Sequence, residues 1–291
     1  MTRIIVDSTC DMPKDLLKRF SIAVLRLSVI IDEKAYRDGV DIQLEDVYAA
    51  MRAGKAPKTS QIQWEEAKEL FTSIAESGDD FIYLAFSAAM SGTFSLANMV
   101  CASLREEYPA RRMEVVDSKG GSMGTGLIAI QLGMMNERGT SFDELLSQGI
   151  WMTEHIKYAF TINDLKCAMR GGRVLARAAG SFGDILSIKP LMDVKNGVLH
   201  IVRFVRGSTK SLVAVADFIA NYACNFPGQI IGVTHADDLG RADYMKSLLK
   251  KRLPDCTILC EQIGSVLGSH LGIGGVGVYC LDQRPAAYHL L

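Results

Sequence analysis

Two short strings of hydroxyl side chains are the first candidates for binding chemistry. The string Thr59–Gln61 precedes a segment with helical periodicity, and Ser91–Thr93 follows a predicted buried strand and opens a long amphipathic helix. A helix start presents free N–H groups and a partial positive charge, and hydroxyls add further hydrogen-bond donors. Each string alone could be a helix cap or a loop. Together they predict a site for a small polar or anionic head group.

Two more polar strings, Asp7–Thr9 and Asp117–Ser118, each follow a predicted strand. In open α/β sheets, ligands collect at the carboxyl ends of the parallel strands. We therefore expect several hydroxyl-bearing loops to meet at one edge of a sheet. Several such loops at one edge indicate a binding site more strongly than any one of these strings does alone.

His270 is the histidine best placed for such a site, because it lies in the glycine-rich stretch 264–277, which is predicted as a loop. A purely structural role for it is equally open. A catalytic triad can be assembled from Ser91, His270 and either Asp7 or Asp117, since chain order does not exclude one. However, Ser91 does not stand in the GxSxG pattern of a nucleophile elbow. A serine-type lipid hydrolase is thus the alternative to a binding protein.

The stretch 272–277 matches GxGxxG letter by letter, but its context is wrong for a dinucleotide site. That fingerprint follows a strand, opens a helix and needs an acidic residue about 20 positions later. Here a strand is predicted to follow, and only 14 residues remain. The seven cysteines form no CxxC pair, and the five histidines have no metal-ligand spacing. We expect no metal, no cofactor and buried reduced thiols.

The segment 166–210 concentrates positive charge around the string Arg170–Arg173, which reads RGGR. It has nine basic residues against Asp184 and Asp193, a balance of +7, whereas the whole chain has a net charge of −1. The arginine fork suits phosphate or carboxylate recognition, and a solvated basic face is the plain alternative. The near-neutral total argues against a protein that coats nucleic acid. No aromatic platform for RNA accompanies the segment.

Strands alternating with helices predict an α/β fold of two domains, 1–156 and 157–291. The first domain is predicted to hold a mainly parallel sheet, in which Asp11 caps the first helix and 24–31 forms one strand. The segment 141–155 is predicted as a helix with a capping box. In the second half an Asn-Gly pair between two apolar runs indicates a hairpin. That half is predicted to be a mixed α/β domain.

Composition fits a folded protein rather than a disordered or membrane-spanning chain. The 291 residues are 48% apolar and 22% charged, which is ordinary for a globular protein. The most apolar stretches fall short of the roughly 20 residues that span a bilayer. The N-terminus lacks the apolar region of a signal peptide, so we expect a cytoplasmic location. Met123, Met134 and Met135 could line an adaptable tunnel or simply fill the core.

The motifs follow one another in a recognisable order. They are DSTCD (7–11), TSQ (59–61), SGTFSLA (91–97), VVDS (115–118), RGGR (170–173), KP (189–190), NG (196–197) and GSHLGIGGVG (268–277). In order and spacing they resemble the DegV family, the bacterial fatty-acid-binding proteins, over essentially the whole chain. Each string is weak alone, but the joint match is specific. The chain departs from the usual family pattern at Ile62, at 88–90 and at Ile273.

The resemblance implies a two-domain DegV-like fold with a long-chain fatty acid between the domains and an apolar tunnel for the acyl tail. The residues implied to hold the ligand are Thr59, Ser60, Ser91, Gly92, Thr93 and His270. The protein would not be an enzyme itself. It would present its fatty acid to a separate ATP-dependent kinase subunit, which forms acyl phosphate for phospholipid synthesis. The arginines implied to face that kinase or the phosphate are Arg170, Arg173 and Arg206. Transient membrane contact is compatible with this role, and nucleic acid is not an expected partner.

Overall fold

The structure, a computed structural model, describes residues 1–172 and 188–291. In the first half of the chain, seven strands alternate with six helices. The strands are β1 (Thr2–Asp7), β2 (Ala23–Leu25), β3 (Ser28–Ile31), β4 (Lys34–Arg37), β5 (Lys58–Ser60), β6 (Asp80–Ala85) and β7 (Met113–Asp117). The helices are α1 (Lys14–Arg19), α2 (Leu44–Arg52), α3 (Trp64–Glu76), α4 (Thr93–Arg105), α5 (Ser122–Glu137) and α6 (Phe142–His155).

The described residues of the second half form six strands and four helices. The strands are β8 (Ile156–Thr161), β9 (Ile188–Lys195), β10 (Val198–Arg206), β11 (Ile230–His235), β12 (Thr257–Gln262) and β13 (Val276–Leu281). The helices are α7 (Leu165–Arg170), α8 (Ser208–Ala223), α9 (Leu239–Arg252) and α10 (Ser265–Leu271).

The first half is organised around a four-stranded parallel sheet in the order β2-β1-β6-β7. Along β1, Ile4 and Val6 join one hydrophobic cluster and Ile5 joins another, as the two-residue period of a strand requires. A small antiparallel sheet, β4-β3-β5, contributes Val29 to the cluster on the Ile5 side. The predicted parallel sheet is confirmed.

The second half is organised around a six-stranded sheet in the order β10-β9-β8-β13-β11-β12. The sheet is mixed, since β11 and β12 pair in parallel and the other neighbours are antiparallel. Asn196 and Gly197 join β9 to β10 with φ angles of 52° and 77°, which a two-residue type I′ hairpin turn needs. The predicted mixed sheet and hairpin are confirmed.

Helix α5 lies between the four-stranded and six-stranded sheets. Every residue from Ser122 to Met135 is buried, and the helix contacts β1 on one side and β8, β11 and β13 on the other. A helix that is apolar all round belongs in a core. Met123, Met134 and Met135 all belong to this core cluster, so they fill the core rather than a tunnel. The strands of the six-stranded sheet all follow residue 155; the division into domains 1–156 and 157–291 stays a prediction.

The predicted capping role of Asp11 is wrong. The N-cap of α1 is Pro13, which has no N–H group to be satisfied at that position. Asp11 instead turns into the interior, where its carboxylate accepts hydrogen bonds from Ser122 Oγ at 2.5 Å and from Gly264 N at 2.8 Å. These contacts join the first and second halves of the chain.

Two further local predictions are wrong in their boundaries or type. The segment 24–31 is not one strand, because Leu27 N donates to Ser8 Oγ and the chain then leaves the parallel sheet to form β3 in the small sheet. The glycine-rich stretch around His270 is not a loop throughout, since it contains helix α10. Gly272, with φ of 75°, ends that helix in the left-handed conformation that glycine favours.

Candidate functional site

A cavity that opens to solvent lies between the first half of the chain and the six-stranded sheet, with about 750 Å³ of empty space when its open mouth is included. Its walls are mostly apolar. The apolar lining residues are Leu27, Phe86, Met90, Phe160, Val194, Leu199, Val266, Leu267 and Leu271. The lining residues with polar groups are Thr59, Ser60, Gln61, Ser91, Ser122, Tyr158, His270 and Tyr279. Both halves of the chain contribute, so the cavity exists only where the two halves meet.

Five of the polar lining residues form what we call the hydroxyl–histidine cluster: Thr59, Ser60, Gln61, Ser91 and His270. Thr59 Oγ1 and His270 Nε2 form a hydrogen bond of 2.7 Å, although 211 residues separate them in the chain. The cluster is partly exposed. It contains hydroxyl, amide and imidazole groups and no carboxylate, which suits an anionic head group.

The elements that carry this cluster are fixed from both halves of the chain. Strand β5 pairs with β3, which places Thr59 opposite Val29. Helix α10 is held at its start by Asp11, and Tyr48 Oη donates to Ile263 O at 2.9 Å just before it. His270 therefore sits on a helix whose position depends on α2 and on the loop after β1.

Ser91 lies just ahead of α4, where Gly92 is the N-cap. Its Oγ accepts from Thr93 N at 3.2 Å and donates to Thr93 Oγ1 at 3.0 Å. Thr93 is completely buried, and neither Thr93 nor Gly92 lines the cavity. A β-carbon at position 92 would lie 2.0 Å from Oε1 of Gln61. Glycine at position 92 thus leaves space for the side chain of Gln61, which lines the cavity, whereas Gly92 itself does not line it.

The basic string 170–173 begins directly against the imidazole. A β-carbon at Gly171 would lie 2.2 Å from Nδ1 of His270, so the backbone there packs on the ring. Arg170 is exposed at the end of α7, and Arg206 is exposed at the end of β10. Arg173 lies outside the described residues. The structure therefore places the start of the RGGR string, but not all of it, beside the hydroxyl–histidine cluster.

Comparison with known proteins now decides the family. A family model described as an uncharacterised protein of the DegV family matches residues 1–283. The chain belongs to the DegV family. A DegV domain-containing protein of Clostridium perfringens is 34% identical to it over 96% of this chain and 97% of the relative.

Solved structures of other DegV proteins share the fold. A stearic acid-binding protein from Eubacterium ventriosum superposes with a TM-score of 0.87 at 27% identity, covering 96% of this chain and 97% of the other. A fatty-acid-binding DegV protein from Thermus thermophilus superposes with a TM-score of 0.86 at 26% identity, covering 96% and 98%.

The other polar strings of this DegV chain stabilise the sheet edge and do not line the cavity. The buried Asp7 carboxylate accepts from Thr9 N, Tyr83 Oη and Phe86 N at 2.7–3.0 Å, and burial raises the pKa of this carboxyl. Asp117 Oδ1 accepts from Ala88 N and Lys119 N. Both aspartates therefore accept hydrogen bonds that stabilise the loops at the edge of the parallel sheet. The hydrogen bond that His270 makes on its Nε2 side goes to Thr59 and not to Ser91.

A second polar group in the cavity, which we call the tyrosine cluster, consists of Ser122, Tyr158 and Tyr279. Tyr279 Oη donates to Ser122 Oγ at 2.9 Å, and Ser122 Oγ donates to Asp11. Tyr279 Oη also lies 2.9 Å from Thr234 Oγ1. Burial raises the pKa of the Asp11 carboxyl to about 7. A chain of buried hydrogen bonds thus connects the loop after β1, the start of α5, β13 and β11.

Sequence reasoning found the DegV hydroxyl strings but missed the tyrosine cluster. Its members come from the start of α5 and from β8 and β13, which are far apart in the chain and carry no motif. One structural signal marks Ser122: its φ is 53°, a left-handed conformation that is uncommon for serine and concentrates at functional sites.

Among residues 1–172 and 188–291, no group of three or more histidine, cysteine, aspartate or glutamate side chains is arranged to hold a metal ion. Within the same part of the chain, no helix has both the length and the apolar character needed to cross a bilayer.

Proposed function

We propose that this DegV protein binds a long-chain fatty acid in the cavity between its two halves. The carboxylate lies at the hydroxyl–histidine cluster, and the acyl tail lies along the apolar walls. The observation that carries this proposal is a mostly apolar cavity with one partly exposed cluster of hydroxyl, amide and imidazole side chains. The two DegV structures described as fatty-acid-binding proteins, at 27% and 26% identity, support it.

The physical roles of the two ends differ. Each buried methylene contributes roughly 0.8 kcal/mol, so ten of them contribute about 8 kcal/mol. A hydrogen bond to a charged group contributes about 1.5–3 kcal/mol. The tail therefore supplies most of the affinity. The hydroxyls of Thr59, Ser60 and Ser91 orient the carboxylate without burying a full ion pair, while His270 holds Thr59 in place. The Ser91 proton, which points to Thr93 Oγ1 in the structure, turns to the carboxylate when the ligand binds.

Solvent extraction of the purified protein followed by mass spectrometry tests the proposal. We expect close to one long-chain fatty acid for each protein molecule. The double variant Thr59→Val/Ser91→Ala should bind added fatty acid more weakly by roughly a hundredfold or more, because two hydrogen bonds to the carboxylate are lost. Ser95→Ala, an exposed position on α4, is the matched control. Protein that is free of lipid and binds none when offered would overturn the proposal.

We further propose that the protein is a carrier that presents its fatty acid to an ATP-dependent kinase subunit. The support is the position of Gly171 against His270, which brings the exposed Arg170 close to the carboxylate end. Replacing Arg170, Arg173 and Arg206 by alanine should leave the amount of bound fatty acid unchanged. Formation of acyl phosphate by the kinase with ATP should be lost.

The carrier role predicts a second result that separates it from a lipid hydrolase. A serine-directed fluorophosphonate probe should leave Ser91 unlabelled, because His270 is hydrogen-bonded to Thr59 and both candidate aspartates are held in their own loops. For the kinase assay, Arg19→Ala on the distant helix α1 is the control. Labelling of Ser91, or unchanged acyl-phosphate formation by the triple variant, would contradict the carrier role.

A further inference from the structure

Gln61 is the one member of the hydroxyl–histidine cluster to which the proposed function gives no role. Its side chain lines the cavity and is partly exposed. Among the described residues, 1–172 and 188–291, its amide makes no hydrogen bond, and neither polar atom of the amide is one of the buried atoms without a partner. Both polar atoms are therefore accessible, and the two N–H donors of Gln61 are not in use.

The reason for a glycine at position 92 is this amide. The backbone angles of Gly92, φ −73° and ψ −4°, have the negative φ that residues with a side chain adopt, and the residue is exposed. However, a β-carbon there would overlap Oε1 of Gln61, and the three nearest heavy atoms outside the local chain all belong to the Gln61 amide. The side chain of Gln61, and not the backbone, therefore requires a glycine.

The start of α4 also decides which end of the amide points to the helix. Oε1 of Gln61 is the end next to Gly92, whereas Nε2 lies 3.8 Å from the place of a β-carbon there. The first turn of a helix carries a partial positive charge, which attracts an amide oxygen and repels amide hydrogens. The N–H donors of Gln61 are therefore directed away from the backbone of α4 and stay available to a ligand.

The hydroxyls of the cluster leave part of a carboxylate without donors. Thr59, Ser60 and Ser91 bring one hydroxyl proton each, whereas a carboxylate has about four acceptor positions. Thr59 Oγ1 also shares its hydrogen bond with Nε2 of His270. Even with all three hydroxyls turned to the ligand, at least one acceptor position remains for the amide of Gln61.

We infer that the Gln61 amide donates a hydrogen bond to the carboxylate of the bound fatty acid and that Gly92 positions this amide. The inference rests on the proposed fatty-acid-binding function and names a further recognition residue for the same site. A hydrogen bond to a charged oxygen is roughly twice as strong as one to a neutral oxygen. Gln61 therefore favours a free carboxylate over the alcohol of the same chain length, whose single oxygen is uncharged.

Competition binding with stearate and octadecanol tests the role of Gln61. Gln61→Ala should bind stearate roughly tenfold or more weakly than wild type, because one hydrogen bond to a charged group is lost, and octadecanol within about twofold of wild type. Gln61→Glu keeps the shape of the side chain but brings a second carboxylate to the site, so it should weaken stearate binding more than Gln61→Ala does. Gln63→Ala, at an exposed position outside the cavity, is the matched control.

A double-variant cycle tests the role of Gly92. Gly92→Ala should weaken stearate binding about as much as Gln61→Ala does, because the new β-carbon displaces the amide. Without the amide there is space for that β-carbon. Gly92→Ala should therefore have no further effect on stearate binding in the Gln61→Ala background.

The outcomes separate this inference from the function on which it rests. If wild-type protein does not bind stearate, the proposed function fails. If wild type binds stearate but Gln61→Ala binds it equally well, or loses stearate and octadecanol to the same extent, the function stands and the role of Gln61 is refuted. Additive losses from Gly92→Ala and Gln61→Ala would refute the positioning role of Gly92.

Discussion

The hydroxyl–histidine cluster and the tyrosine cluster line one cavity with similar polar groups, yet they are built differently. The side chains of the first are partly exposed and come from β5, from the start of α4 and from α10. In the second, Ser122 and Tyr279 are buried and hydrogen-bonded to Asp11 and Thr234. The comparison shows that polar residues in a cavity can be available to a ligand or can form hydrogen bonds that connect the two halves of the chain. The two uses should respond differently to substitution.

The largest expected effect is a pH dependence of stability that originates in the tyrosine cluster. The Asp11 carboxyl has an ordinary pKa of 3.8 when unfolded, and burial raises its pKa to about 7 in the folded protein. At pH values between 3.8 and about 7, Asp11 therefore holds a proton in the folded state and has released it in the unfolded state. The free energy of unfolding should therefore fall as pH rises from about 4 to about 7, by up to about 4 kcal/mol from this group, and level off above.

Urea unfolding of wild type and Asp11→Asn between pH 4 and 8 measures this contribution. The difference between the two proteins is the quantity to follow, because other carboxyls titrate in both. Asp38 and Glu261, which face Asp11, have pKa values raised by burial, whereas Asp79 and Asp143 have pKa values lowered by basic partners. Parallel stability curves for the two proteins would refute the assignment to Asp11.

A methyl group added to α5 should disrupt the tyrosine cluster. The expected loss in the free energy of unfolding is somewhat smaller than the pH effect of Asp11. A β-carbon at Gly124 would lie 2.4 Å from Cε1 of Tyr158, and α5 is packed between two sheets, so neither group can move away. Gly124→Ala should lower the free energy of unfolding by about 2–3 kcal/mol. Gly240→Ala, on the open helix α9 with no contact closer than 3.7 Å, should be neutral or slightly stabilising. Equal stabilities of the two variants would contradict the tight packing.

The same glycine-to-alanine substitution beside the hydroxyl–histidine cluster, at Gly171, should act on binding instead. A β-carbon at Gly171 would overlap Nδ1 of His270, but Gly171 follows the short helix α7 at the protein surface, where the backbone can shift. We expect Gly171→Ala to weaken fatty-acid binding roughly tenfold and to change the free energy of unfolding by less than about 1 kcal/mol. An altered NMR signal of the His270 ring would show the displacement. If Gly171→Ala instead lowered the free energy of unfolding and left the affinity for fatty acid unchanged, the proposed difference between the two clusters would be wrong.

The sequence predicted those features that short-range patterns control. The Asn196–Gly197 turn needs positive φ at both residues, and Ser141 caps α6 by accepting from Glu144 N at 3.3 Å; both follow from local chemistry. The hydroxyl strings were found for the same reason.

Features that depend on distant contacts were missed. Asp11 looked like a helix cap because Pro13 follows it, but a contact with Gly264, 253 residues away, decides its position. Tyr158 and Tyr279 are ordinary strand residues in the sequence. They become part of the cavity only because β8 pairs with β13 and α5 packs against both strands. Nothing in the local pattern of either strand marks them.

The smallest effect concerns the β9–β10 hairpin, which lines the cavity that the two clusters share. Val194 and Leu199 of the β9–β10 hairpin line the cavity, and the buried Ser87 Oγ donates to Gly197 O at 2.6 Å, which fastens the hairpin tip to the first half. Ser87→Ala should lower the free energy of unfolding by only about 1 kcal/mol. Amide hydrogen exchange should rise in 188–206, and bound fatty acid should dissociate several-fold faster. Ser103→Ala, which removes a hydrogen bond within α4, is the control. Unchanged exchange and dissociation would show that side-chain packing alone holds the hairpin against the first half of the chain.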